Sequence, residues 1–209
     1  MPTAPSPDRR YGMPDRAHEL LALIAAEPWR MACLRAVAGL GLADCWVGSG
    51  FVRAPLWDEL HGFAEPTPLG DIDVVYFDAD HRDPARAAAL EARLEAVLPM
   101  GETGPPWSVR NQARMHTRNG DAPYRSTEDA LCHWLETTAV VAVRLGGNGQ
   151  LELLAPLGLD DLFAMIVRPT PHARARRPDA YRARQAEKDW TARWPKVRVL
   201  QAEPGQRGS

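Results

Sequence analysis

Two carboxylates, Asp71 and Asp73, stand one residue apart at the head of the apolar run Ile72–Phe77. In an extended chain alternate side chains share a face, so both acids project the same way. Like charges held side by side oppose each other's ionisation, and a cation between them removes the conflict. Hard carboxylate oxygens suit Mg²⁺ or Mn²⁺. Upstream, a short apolar segment ends in the small-residue bend Gly48-Ser49-Gly50. Turn amides and a following helix N-terminus make an anion site. A divalent ion beside such a bend is the equipment of phosphoryl or nucleotidyl transfer. Each feature alone has an ordinary structural reading: Asp-x-Asp is common at solvated strand ends, and glycine turns are common for conformational reasons.

The elements that must position these residues can be read along the chain. Asp15 reads as the N-cap of a helix running to about Ala26, and Pro28 opens a second to about Gly39. Asp44–Val47 is a short strand leading into the bend. A helix follows over Phe51–Leu60, with Pro55 restricting where its first turn can lie. His61–Leu69 is a loop. Asp83-Pro84 starts an Ala-rich helix to Leu98, and Trp107–His116 reads as a polar strand. Ser126–Asp129 resembles a capping box before a helix to about Leu135. Thr137–Leu145 and Leu151–Ala155 flank Gly146-Gly147-Asn148-Gly149, a hairpin signal. Leu159–Val167 is a short helix, Pro169–Pro178 a basic loop, and Tyr181–Arg193 the last helix. Helices interleaved with about five strands imply an α+β fold, a small mixed sheet with helices packed on it. The expected division is a flexible segment over 1–14, one domain over 15–197 and a tail over 198–209.

Composition bounds the rest. The 209 residues are 45% hydrophobic, ample for a core, and the formal net charge is −2. That charge gives no reason to expect nucleic-acid binding, and there is no aromatic-plus-basic stripe. No apolar run approaches membrane-spanning length, and residues 1–14 lack the apolar stretch of a signal peptide. Cys33, Cys45 and Cys132 are odd in number and lack metal-site spacing, so they read as reduced thiols of a cytoplasmic protein.

The order apolar-Gly-Ser, helix, Asp-apolar-Asp resembles the nucleotidyltransferase superfamily typified by DNA polymerase β. Within it the chain is similar to a bacterial nucleotidyltransferase family. The segments carrying the resemblance are Trp46–Arg53, Trp57–Gly62, Gly70–Asp78, Trp107–His116, Glu136–Ala139 and Ala155–Leu162. The resemblance implies a polymerase-β-like catalytic core in which Asp71 and Asp73 bind Mg²⁺ or Mn²⁺. Gly48 and Ser49 would contact the nucleoside triphosphate (NTP). It also implies a third carboxylate on the next core strand, where this chain offers Ser108; Glu136 and Glu152 are the alternatives.

Arg110 and Arg114 are candidate phosphate-binding residues on the polar strand, although a solvated strand face explains them equally. His116 is a candidate general base. His172–Arg177, with three arginines, reads as a solvated loop or as a flap over an anionic substrate. Trp57, Trp134, Trp190 and Trp194 read as packing anchors. The expected partners are an NTP and an unidentified acceptor. Two other readings stand beside the transferase: a nucleotide- or partner-binding module that has lost turnover, favoured by Ser108, and a sugar-nucleotide glycosyltransferase, which also uses Asp-x-Asp. The glycosyltransferase would need a nucleotide-binding βαβ half before the motif, where this chain has two helices and one strand.

Overall fold

A computed structural model describes residues 13–202; the expected loose N-terminal dozen and the last residues of the tail lie outside the described residues. The chain runs through α1 (Met13–Ala26), α2 (Pro28–Ala38), β1 (Cys45–Gly48), α3 (Gly50–His61), β2 (Ile72–Tyr76), α4 (Pro84–Val97) and β3 (Trp107–Asn111). After β3 come a 3₁₀ turn (Gln112–Arg114), α5 (Met115–Asn119), α6 (Thr127–Leu131) and a second 3₁₀ turn (Thr137–Ala139). Then follow β4 (Ala142–Leu145), β5 (Leu151–Leu154), α7 (Asp160–Phe163), β6 (Ile166–Val167), α8 (Pro171–Arg176), α9 (Pro178–Glu187), α10 (Trp190–Arg193) and β7 (Arg198–Val199).

The main sheet has strand order β3-β2-β1-β4-β5. Only β2 and β3 are parallel, joined by the α4 crossover; β1 is antiparallel to both β2 and β4, and β4 to β5. The architecture is therefore mixed α+β, as the sequence implies. Residue alternation assigns the two faces. Cys45, Val47, Ile72, Val74, Tyr76, Trp107, Val109 and Val143 point into the larger core, with the apolar sides of α1 to α4. Trp46, Val75 and Ala142 point the other way, against Leu131 and Val140. Asp73 shares its parity with Val75, so it opens on this thinner face.

Several local expectations need correction. Asp15 lies in the first turn of α1, which starts at Met13. Helix α3 runs straight through Pro55, which removes the amide that would bond to the Phe51 carbonyl. Arg30 Nη1 donates to that carbonyl at 2.6 Å, replacing the lost helical bond inside the core. The polar strand stops at Asn111, whose side chain accepts from the Ala113 amide and turns the chain into the 3₁₀ segment. The Ser126 hydroxyl accepts from the Asp129 amide as a cap, but the helix ends at Leu131. Leu159–Val167 splits into α7 and β6. The Pro169–Pro178 segment is mostly helical, because Thr170 caps α8 by accepting from the Ala173 amide at 3.0 Å. The last predicted helix breaks at Lys188, and Asp189 caps α10.

Arg198–Val199, assigned by sequence to the tail, pairs in parallel with β6. The Tyr181 hydroxyl donates to the Leu200 carbonyl at 2.7 Å and holds that strand on the body. Trp57, Trp190 and Trp194 do pack together, with Trp57 ring centroids 5.7 and 5.1 Å from the other two. All three cysteines are free, and burial pushes the Cys33 and Cys45 thiols up to about 11 and 12, keeping them unreactive. No helix among the described residues is long and apolar enough to cross a membrane.

Candidate active site

The bend after β1 is conformationally forced. Ser49 has φ 56° and ψ −120°, a region that glycine occupies easily and serine does not. Its amide donates to the Val141 carbonyl at 2.9 Å, and its carbonyl accepts from the amides of Val52 and Arg53. The backbone is thus tied to β4 on one side and opens α3 on the other. No side chain caps the helix, so the first amides of α3 are left for something else. Gly48 is confined by packing: a Cβ there would lie 3.2 Å from the Val141 carbonyl oxygen.

Two neighbouring cavities share Ser49, Asp73 and Arg184. One, of about 500 Å³, is lined by these with Gly50, Arg53, Asp71 and Lys188. The other, of about 290 Å³, adds Arg110, Arg118, His133, Trp134, Glu136 and Arg177. The structure therefore brings Ser49, Asp71 and Asp73 to the wall of one cavity, with Asp73 and Ser49 at the junction of both.

The electrostatics of the acids are tense. Burial, and then the charge of Asp71, raises the Asp73 carboxyl from 3.8 to about 6; Arg184, Arg53 and Lys188 act in the opposite direction. Arg53 is buried, and burial lowers its guanidinium to about 10 while Glu136 opposes the fall. It lies over Trp190 at 4.5 Å and Trp57 at 5.2 Å. Arg184 reaches in from α9, where Nε donates to Glu136 Oε1 at 2.6 Å; Gln185 donates to the same oxygen at 3.0 Å. Burial lowers the Lys188 ammonium as well.

Other sequence-selected residues fall in different places. Ser108 pairs in register with Asp73 across β2 and β3. Glu136 borders the same cavity as Asp73, but Arg184 and Gln185 already occupy it. Glu152 is remote from both, paired with Arg144 at 2.6 Å on the β4–β5 hairpin. Arg110 borders the smaller cavity and pairs with Glu91 at 2.8 Å. Arg114 borders neither cavity; it lines a groove against α4. His116 is buried, with its ring against Tyr124. Trp134 packs on the smaller core cluster and also borders the smaller cavity, beyond the anchoring expected of it.

Sequence reasoning gave no role to Arg53, Arg118 or Arg184. Arg184 and Lys188 are four residues apart and could have been read as one helical stripe. Arg177 fell in the segment read as loop or flap.

The match to a nucleotidyltransferase family model extends over residues 35–199. The chain belongs to this nucleotidyltransferase family. It is similar to a solution structure described as revealing a CCA-adding enzyme head domain, with 32% identity and a TM-score of 0.77, covering 88% of this chain and 95% of that one. The fold also resembles that of the Thermotoga maritima CCA-adding enzyme complexed with tRNA (17% identity, TM-score 0.51, 88% of this chain). A CCA-adding enzyme complexed with CTP gives a similar result (17% identity, TM-score 0.50, 88% of this chain). The chain spans 42% of the length of each of these two enzymes. None of the curated proteins matches it.

Proposed function

We propose that the protein is a metal-dependent nucleotidyltransferase that moves a nucleoside monophosphate from an NTP to an acceptor. The acceptor oxygen bonds to the α-phosphorus, the bond from that phosphorus to the bridging oxygen breaks, and pyrophosphate leaves. The observation that carries this reading is the shared cavity: Ser49 and Gly50 at an uncapped helix start face Asp71 and Asp73, with Arg53, Arg184 and Lys188 around them.

The donor set fits a hard divalent ion. It consists of two carboxylates, one of them raised to about 6 by burial and its neighbour, and a cation would relieve that conflict. Bound between Asp71 and Asp73, Mg²⁺ or Mn²⁺ would supply positive charge where phosphate oxygens become more negative. The α3 amides and Ser49 would orient the triphosphate. Arg184 and Arg110 would hold outer phosphate oxygens or the leaving pyrophosphate, and Arg114 takes no part. As a class, nucleotidyltransferases use divalent metals, which supports the ion although not its identity.

A second reading is supported by Ser108. It stands in register with Asp73 where a third carboxylate is expected, and Glu136 is already neutralised by Arg184. The chain would then bind nucleotide without turnover. Labelled NTPs with Mg²⁺ or Mn²⁺ separate the two. Pyrophosphate release that vanishes in Asp73→Asn supports the enzyme; saturable nucleotide binding without release supports the module. Because two of the folds it resembles are CCA-adding enzymes, one complexed with tRNA and one with CTP, CTP and a tRNA lacking its terminal CCA are the first donor and acceptor to try, alongside small hydroxyl acceptors.

A further inference from the structure

Beyond the Asp71–Asp73 pair, we propose a second, chemically different metal site, formed by Asp121, His133 and His172 and suited to Zn²⁺ or a similar imidazole-seeking ion. One ligand atom from each of the three lies within 4.8 Å of the others. His172 Nε2 and Asp121 Oδ1 are 3.1 Å apart. Zn–N and Zn–O bonds of about 2.0–2.1 Å in a tetrahedron place ligand atoms roughly 3.3 Å apart. The first two atoms already stand at that spacing, and the His133 ligand atom lies within 4.8 Å of both.

The surroundings are those of ligands held ready. His133 Nδ1 is 2.8 Å from the Asp129 carbonyl oxygen, a contact that requires a proton on Nδ1 and leaves Nε2 as the lone-pair atom. The Tyr124 hydroxyl donates to Asp121 Oδ2 at 2.6 Å and accepts from Asn119 Nδ2 at 2.9 Å. That bond fixes the carboxylate and leaves Oδ1 free toward the histidines. His172 Nε2 is buried and, despite its closeness to Asp121, makes no aligned hydrogen bond. An unpartnered ring nitrogen inside a protein is unfavourable, and a metal bond would satisfy it. The rings of His133 and His172 lie 4.4 Å apart, a like-type pair that a shared cation explains.

Two imidazoles and one carboxylate favour zinc-class ions over Mg²⁺, which takes oxygen ligands. The three ligands come from the loop after α5, the turn after α6 and helix α8. An ion there would clasp the C-terminal segment to the segment that follows β3. His133 also lines the smaller cavity, so the clasp would fix one of its walls. The proposal does not depend on the transfer reaction.

The test is calorimetric titration of the full-length Asp73→Asn protein with Zn²⁺, which removes competition from the other pair. One equivalent should bind, and adding His172→Gln or Asp121→Asn should weaken it by about 100-fold or more, as expected for loss of a direct ligand. Should either variant misfold by circular dichroism, Co²⁺ added to the Asp73→Asn protein gives an independent readout. An intense visible ligand-field band is expected for a four-coordinate site, whereas a spectrum like that of the hydrated ion overturns the proposal. Titration in which neither ligand variant changes the affinity overturns it too, leaving His172 and Asp121 as an ordinary ion pair.

Discussion

Asp73 is held where two influences oppose its charge, its own burial and the neighbouring Asp71. Without a cation, a carboxyl raised from 3.8 to about 6 contributes stability that is complete below about pH 4 and lost as pH climbs through 6. Asp73→Asn should therefore stabilise the metal-free protein at pH 8 by on the order of 1–2 kcal/mol while lowering transfer by roughly 1000-fold. Melting temperatures with and without Mg²⁺ check this: Mg²⁺ should raise the wild-type value and leave Asp73→Asn unmoved. Protonation below pH 6 should weaken metal binding, so the acid limb of the rate profile should fall there. Ser49 makes a second residue-scale case. Its backbone conformation costs about 1–3 kcal/mol for a non-glycine residue. Ser49→Gly should raise the melting temperature by about 1–3 °C, and Ser49→Ala should not, because alanine keeps the strain. Both should weaken NTP affinity in a fluorescence titration if the hydroxyl contacts phosphate.

At the scale of elements, α9 carries Arg184 into the cleft, and its anchor is the buried Glu136. Arg184→Ala leaves a buried carboxylate without its cation and should cost about 2–4 kcal/mol, read as a lower denaturation midpoint. Hydrogen exchange along α9 should accelerate, and Glu136→Gln should restore part of the loss by removing the uncompensated charge. These contacts also mark where sequence reading stops. The start of β2 was legible because acidic and apolar residues trade places over Asp71–Val74 before an apolar run, and so were the proline-started helices α2 and α4. The stop at Asn111 was not, because a side chain accepting from Ala113 ends a strand whose polar pattern could have continued. Helix α8 was hidden by the prolines and arginines around it; the Thr170 cap is the signal that would have found it. Nothing in the sequence marked Arg53; packing sets it over two tryptophans.

For the whole molecule, the sheet divides labour between its faces: one buries the apolar residues of β1 to β4 against the first four helices, and the other exposes Asp73 to a cleft walled by the C-terminal helices. That wall is secured by a short parallel strand pair and by Tyr181, whose hydroxyl reaches Leu200. Tyr181→Phe should lower stability by about 1 kcal/mol in urea unfolding, with little change in metal affinity. The residues that define the acids and the bend were visible in sequence, and so was Arg110; Arg184 and Lys188 were not, since they arrive from the far end of the chain through tertiary packing. The central claim is that Asp71 and Asp73 grip a divalent ion bearing a triphosphate against the start of α3. A crystal soaked with Mn²⁺ and a non-hydrolysable NTP tests it by anomalous scattering. The account predicts a manganese peak between the two carboxylates with phosphate density at Ser49 and Gly50; manganese and nucleotide bound elsewhere, with that pair vacant, would contradict it.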